Sequence, residues 1–354
     1  MKKLLSFKRI SLQEKVDFVK NLAVMLKSGI TINEALTSIA DQTKSRRFRE
    51  IIFKIKKEVE MGVSLYEAFS KEKETFGDVF LSLLKTGESS GALEESLNFL
   101  ASWLERESDL KKEIAAATLY PKIVLTATFF LGGALSVFIL PKLVPLFEQL
   151  RVELPLTTRI MLSFALFLEN FWFFVLGGIV GIFILFLLLN KIRKTRSVFH
   201  WLQLKIPFLG GLMVDYQLAI ICWLFSILFK SGISISESLK IVSESATNIH
   251  YQQSLKKIRQ RVSQGTTISE SLKDFAFLYP KNLVNIIAVG EKSGTLERSF
   301  NNLSEFYSKE VQNKTKKLPM IIEPLLLIFI GICVGFLALS VIMPIYQLTR
   351  GLSQ

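Results

Sequence analysis

"KSGITINEAL", Lys27 to Leu36, recurs as "KSGISISESL", Lys230 to Leu239, with seven of ten residues retained after a step of 203. A second pair keeps the same step of 203: "GESSGALEESLN" (Gly87 to Asn98) and "GEKSGTLERSFN" (Gly290 to Asn301) agree at eight of twelve positions. Gly62 answers to Gly265, Pro121 to Pro324 and Pro141 to Pro344. A step that holds from Lys27 through to Pro141 demands equal loop lengths in both copies, so the chain carries one module twice.

Each decapeptide reads as a corner between two helices. Upstream, Val19, Leu22, Ala23 and Leu26 form one apolar stripe at helical spacing. Gly29 suits the left-handed conformation in which helices often end, and Thr31 with Glu34 three residues later is the start signal of the next helix. Gly232, Ser234 and Glu237 occupy the same places in the second copy. In the second motif, Gly87 and Gly91, like Gly290 and Gly294, are expected to adopt backbone angles closed to other residues. Glu88 and Glu291, set between those glycines, are candidates either to cap a helix or to bind a partner or cation.

Half of the 354 residues are hydrophobic, the profile of a membrane protein. Crossing a hydrocarbon layer about 30 Å thick takes about 20 apolar residues in helix. Ile123–Leu140, Phe171–Leu189 and Leu325–Met343 are long enough and free of charge, whereas the run Leu218–Phe229 is too short and reads as a buried soluble helix. Two copies of "domain plus exit helix" require one extra crossing to bring the chain back. The middle span, which has no partner in the repeat, supplies it.

The net charge of +13 is a matter of topology rather than nucleic-acid binding. Residues 191–320 carry 19 Lys and Arg against 9 Asp and Glu, and residues 1–122 carry 21 against 18, while Lys142–Asn170 holds three basic residues. Lys and Arg collect on the cytoplasmic side, so both polar domains are expected inside, with the loop and the C-terminal tail outside. "KIRKTR" (Lys191–Arg196) fits that rule and is placed to meet anionic membrane lipid. The basic N-terminus has no apolar run behind it and is expected to be retained.

No phosphate-cradling loop, H-E-x-x-H or CxxC pair occurs. With two histidines and two cysteines, all in separate surroundings, the expectation is no catalytic residue, no metal site and no cofactor. Glu323 and Pro324 stand at the mouth of the third span. They read as a helix start, with the proline in the first turn and the acid at the positive end of the dipole.

Subtracting one copy from the other isolates a further feature. Lys15, Asp17, Lys20 and Asn21 correspond to Leu218, Ile220, Trp223 and Leu224. The fold does not need apolar residues there, so the second copy has extra surface to hide: expected against a second subunit first, then the membrane, then the first domain.

These features together resemble the type II secretion F family, also called the PilC family of type IV pilus assembly platforms. "FVKNLAVMLKSGITINEAL" (Phe18–Leu36), the two glycine-glutamate motifs, "LYP" (Leu119–Pro121), "LPLTTR" (Leu154–Arg159), "KIPFLGGL" (Lys205–Leu212) and "EPLLL" (Glu323–Leu327) carry the resemblance along essentially the whole chain. It implies an all-α polytopic protein of the inner membrane with two six-helix cytoplasmic domains, and a homo-oligomer, expected to be a dimer. The partners it implies are a hexameric assembly ATPase, pilin or pseudopilin subunits and other inner-membrane assembly proteins. The implied role is coupling that ATPase to filament assembly. A small-solute transporter is the competing reading, although transporter repeats duplicate bundles of spans rather than soluble domains. The expected division is a first cytoplasmic domain at 1–121, a span at 122–141, an external loop at 142–170, a span at 171–190, a second cytoplasmic domain at 191–320, a span at 321–344 and a tail at 345–354.

Overall fold

The computed structural model describes residues 10–134, 193–206 and 209–351, with seven isolated positions between 163 and 181. The basic N-terminal start, the expected external loop, "LPLTTR" and most of the expected second span fall outside the described residues.

Every described element is helical. The first module comprises α1 (Leu12–Lys27), α2 (Ile32–Gln42), α3 (Arg46–Glu60), α4 (Leu65–Ser70), the single turn α5 (Lys73–Phe76), α6 (Asp78–Ser90) and α7 (Leu93–Ala117), with α8 (Leu119–Ala134) after it. Then come α9 (Arg193–Lys205), α10 (Leu209–Lys230), α11 (Ile235–Ser245), α12 (Ile249–Ser263), α13 (Ile268–Leu272), a 3-10 turn (Lys273–Phe275), α14 (Lys281–Ser293) and α15 (Leu296–Gly351). The starts of α2, α3, α4, α6 and α7 recur, at the step found in the sequence, as the starts of α11, α12, α13, α14 and α15, so the repeat is one of helices.

The boundaries follow from local chemistry. Thr31 accepts from the Glu34 N–H while the Glu34 carboxylate accepts from Thr31, a complete capping box at the start of α2. Gly29 and Gly232 turn the corner at φ 79° and 72°. In the second copy the box is half made: Ser234 caps Glu237, but the Glu237 carboxylate turns to Lys240 at 3.0 Å.

The two cores occupy the same positions with different chemistry. Phe18, Phe48, Phe69, Phe76 and Phe80 form a ring cluster in the first module, with centroids 4.6–6.2 Å apart. The counterparts one repeat step on are Ile221, Tyr251, Leu272, Tyr279 and Leu283. The two buried hydroxyls are satisfied: Tyr251 donates to the Leu278 carbonyl at 2.9 Å, and Tyr279 shares a hydrogen bond with Ser254 at 2.8 Å. Burial pushes both phenols well above their ordinary range.

Residues 1–113 and 197–313 form one compact unit, and residues 114–196 and 314–354 form another. The first holds both modules, with α11 of the second packed on α6 of the first. The second holds α8 and the C-terminal part of α15, in which Phe129, Phe130, Leu325, Leu327 and Ile332 are more than half exposed. Among the described residues, three helical stretches have the length and composition to cross a membrane, but their environments separate them. The apolar windows within Leu93–Leu131 and Leu296–Phe336 are 6% and 11% buried, exposure that suits membrane-spanning helices. Leu209–Lys230 is 72% buried, so α10 is a core helix, as the short apolar run Leu218–Phe229 predicts. The chain is thus an all-α polytopic membrane protein built on a repeated helical module.

The reading of Glu323 and Pro324 as a helix start is corrected: both lie inside the continuous α15. Pro324 leaves the Met320 carbonyl without its helical donor, and α15 continues through the gap. At Pro121 the first copy does break nearby, between α7 and α8.

Candidate functional site: the seam between the two modules

The two glycine-glutamate motifs form one device, built twice. Glu88 lies in α6, and its carboxylate reaches across to α4, accepting from the backbone N–H groups of Leu65 at 2.6 Å and Tyr66 at 2.8 Å. Glu291 does the same from α14 to α13, accepting from Ile268 and from Ser269 at 2.9 Å. A helix start exposes donors that nothing within the helix can satisfy, and a carboxylate is the strongest acceptor available to them. Of the two roles foreseen for these acids, the geometry gives capping, of a helix upstream in the same module.

Gly91 and Gly294 are left-handed as expected, at φ 70° in both copies. Gly87 and Gly290 are not, which corrects the reading above: both are helical, and what they supply is room. A Cβ on Gly87 would stand 2.5 Å from the Ser96 side chain, and one on Gly290 would stand 2.3 Å from the Ser299 hydroxyl. These glycines let α6 close on α7 and α14 close on α15, which holds each acid at its cap.

For Leu218, Ile220, Trp223 and Leu224 the expected order of coverings is corrected: the first module, expected last, covers three of them. Ile220 and Leu224 lie beside Trp103 and Glu107 of α7, and the Arg106 guanidinium sits 4.6 Å over the Trp223 ring. Leu218 belongs to the second module's own core, with Cys222, Leu255 and Tyr279. Arg106 also donates to the Ser308 hydroxyl at 2.9 and 3.2 Å and to the Ser304 carbonyl at 3.3 Å. Its half-buried position pulls its pKa down by desolvation, partly offset by Glu305, and a guanidinium remains charged regardless. Lys230 over the Phe99 ring at 5.1 Å and Gln312 bonded to Glu113 at 3.1 Å extend the seam to either side.

Residue correspondence explains why the seam has this form. In the first copy, Lys20 on α1 and Glu105 on α7 pair at 2.5 Å. Their counterparts one repeat step on are Trp223 and Ser308, an aromatic face and a hydroxyl. The second copy has thus exchanged its own ion pair for a slot that receives Arg106 of the first. Sequence reading found the four apolar substitutions and missed Arg106. The available signal was the second half of the exchange: losing both members of an ion pair leaves a site fit for a cation from elsewhere.

The face that covers this slot is used only once. Leu83 and Trp103 are 0% and 9% exposed, whereas their counterparts Ile286 and Phe306 are 40% and 48% exposed. The modules therefore meet head to tail through non-equivalent faces.

Comparison with known proteins agrees with this architecture. The family model for type II secretion system (T2SS) protein F matches residues 18–141 and again 221–344, two stretches offset by the step that relates the helices. A type IV pilus assembly protein PilC from Thermus thermophilus is 31% identical over 340 residues, covering 95% of this chain and 82% of that protein. The Pseudomonas aeruginosa protein of the same description is 28% identical, covering 94% and 88%. A type II secretion system protein F from Aeromonas hydrophila is 27% identical, covering 94% and 85%. With both modules matched and the match spanning well over half its length, the chain belongs to the type II secretion system protein F family.

Proposed function

We propose that this protein is the inner-membrane platform of a type IV pilus or type II secretion machine, and that it couples a hexameric cytoplasmic ATPase to the assembly of pilin or pseudopilin subunits. It is an assembly component, not an enzyme. The reading is supported by relatives described as type IV pilus assembly and type II secretion proteins, and by the scarcity of positive charge in the expected external loop. Both modules are taken to be cytoplasmic, and the membrane is crossed at 122–141, 171–190 and 321–344.

The observation that carries the coupling role is the seam. A motor that pushed on one of two independent modules would move that module alone. Here Arg106 ties α7 to α10 and α15, so a push on either module is shared by both. The helix that closes the second module, α15, is also the one that continues as an apolar run. A transporter would instead need a polar site among its spans, and the three expected apolar runs carry no charge.

The test is Arg106→Glu in cells, with the protein's membrane level followed by immunoblot and filament or secretion output measured alongside. The expected result is normal membrane insertion with output lost, together with co-purification of the wild-type chain with a hexameric ATPase. Full output from a chain whose modules have come apart would contradict coupling through the seam.

A further inference from the structure

The helix α9 precedes the matched stretch of the second module and is held firmly on one side. The Ile249 N–H donates to His200 Nδ1 at 3.0 Å, His250 Nε2 donates to the Ser197 carbonyl at 2.9 Å, and Leu204 is buried. Asn248 adds a bond to the His200 carbonyl at 3.3 Å. At the corner into α10, a Cβ on Gly210 would stand 2.2 Å from the Leu204 carbonyl oxygen, so only glycine permits that turn. The orientation of α9 on the second module is thereby fixed.

Its other side is apolar and uncovered. Val198, Trp201 and Leu202 are 66%, 42% and 52% exposed, and Ile206, just past the helix end, is 40% exposed. At about 100° per residue, 198, 201, 202 and 205 fall on one stripe, opposite His200 and Leu204. The Lys205 ammonium lies 4.2 Å over the Trp201 ring, so the stripe carries its own cation beside an amphipathic aromatic.

We infer that this stripe, Val198 to Ile206, lies in the headgroup boundary of an anionic bilayer and fastens the second module to the membrane surface. Three observations select lipid over protein as the occupant. Residues 190–214 contain five basic side chains and no acidic one, the charge that suits an anionic leaflet. Only Asn190, Lys191 and Ile192 separate the apolar run Phe171–Leu189 from the start of α9. Four residue steps of about 3.5 Å keep that start within about 14 Å of where the run leaves the hydrocarbon. Trp with Lys at the edge of an apolar stripe is also the pairing that membrane interfaces select. The inference rests on the second module being on the side where that run emerges, and it adds to the platform reading a contact that keeps this module against the bilayer.

The test uses the full chain in lipid vesicles, with Cys222→Ala and Cys333→Ser as background and a nitroxide spin label on Leu202→Cys or, separately, Val198→Cys. Collision with dissolved oxygen, which concentrates in lipid, is compared with collision with a water-soluble nickel chelate, and a label on Lys257→Cys gives the aqueous reference. In vesicles containing phosphatidylglycerol, the expected result is oxygen dominant at 198 and 202 and nickel dominant at 257. In pure phosphatidylcholine, the labels at 198 and 202 shift toward nickel. Nickel dominance at both stripe positions in phosphatidylglycerol overturns the proposal, because the stripe is then in water. Access to neither reagent overturns it too, placing protein, such as a second copy, over the stripe. An unchanged ratio in phosphatidylcholine overturns the requirement for anionic lipid. None of these results alters which side of the membrane the modules occupy, so the platform reading is tested separately.

Discussion

Glu88 and Glu291 show how much of this fold is carried by single acceptors. Each carboxylate satisfies two backbone donors at a helix start that its own segment only partly caps. Hydrogen bonds to a charged group contribute about 1.5–3 kcal/mol, so Glu88→Gln or Glu291→Gln should each cost about that much in denaturant unfolding. The two losses should add, because the sites are in different modules. An unchanged midpoint in either variant would show that the cap is not a stabilising contact. The neighbouring glycine makes a second prediction. Gly87→Ala forces a methyl into the Ser96 side chain and should destabilise by about 1–3 kcal/mol, and Ser96→Gly in the same chain should recover most of that loss. If the second change restores nothing, close approach of α6 and α7 is not the reason for the glycine.

Among the elements, α10 and the helices that meet it were partly legible beforehand. The apolar counterparts of Lys15, Asp17, Lys20 and Asn21 announced that α10 had surface to hide, and the shortness of the run excluded a membrane span. What covered it was not legible, because Arg106 lies in the other copy, far from Trp223 in sequence, and no periodicity links them. The helix boundaries were legible because caps are local: Gly29, Thr31 and Glu34 do their work within one turn. Gly87 was misread because a glycine's spacing in sequence does not distinguish a left-handed turn from a close approach, which depends on a side chain in the next helix. Pro324 was misread because proline normally opens a helix, whereas α15 continues through it. The seam itself makes the prediction at this scale. A double-mutant cycle of Arg106→Ala and Trp223→Ala, read by unfolding, should give a coupling of about 0.5–2 kcal/mol. Zero coupling would mean that the ring and the guanidinium are neighbours without being partners.

At the scale of the whole molecule, duplication has been followed by division of labour. One copy holds an ion pair, Lys20 with Glu105, and presents Arg106, while the other has Trp223 and Ser308 in those places and receives it. The modules thereby form a single unit, and the apolar windows within Leu93–Leu131 and Leu296–Phe336 have the length and composition to cross a membrane. On the proposed reading, two modules joined in this way share one side of the membrane, and the run at 171–190 returns the chain between them. The central claim is therefore a statement of sidedness, and it is tested most directly by placing single cysteines at Lys54 and Lys257, both exposed, in a background lacking Cys222 and Cys333. Intact cells and opened membranes are then treated with a membrane-impermeant maleimide. Both positions should remain unlabelled in intact cells and react to the same extent once the membrane is opened. Labelling of one from outside while the other stays protected would contradict the joined modules, the extra crossing and the platform built on them.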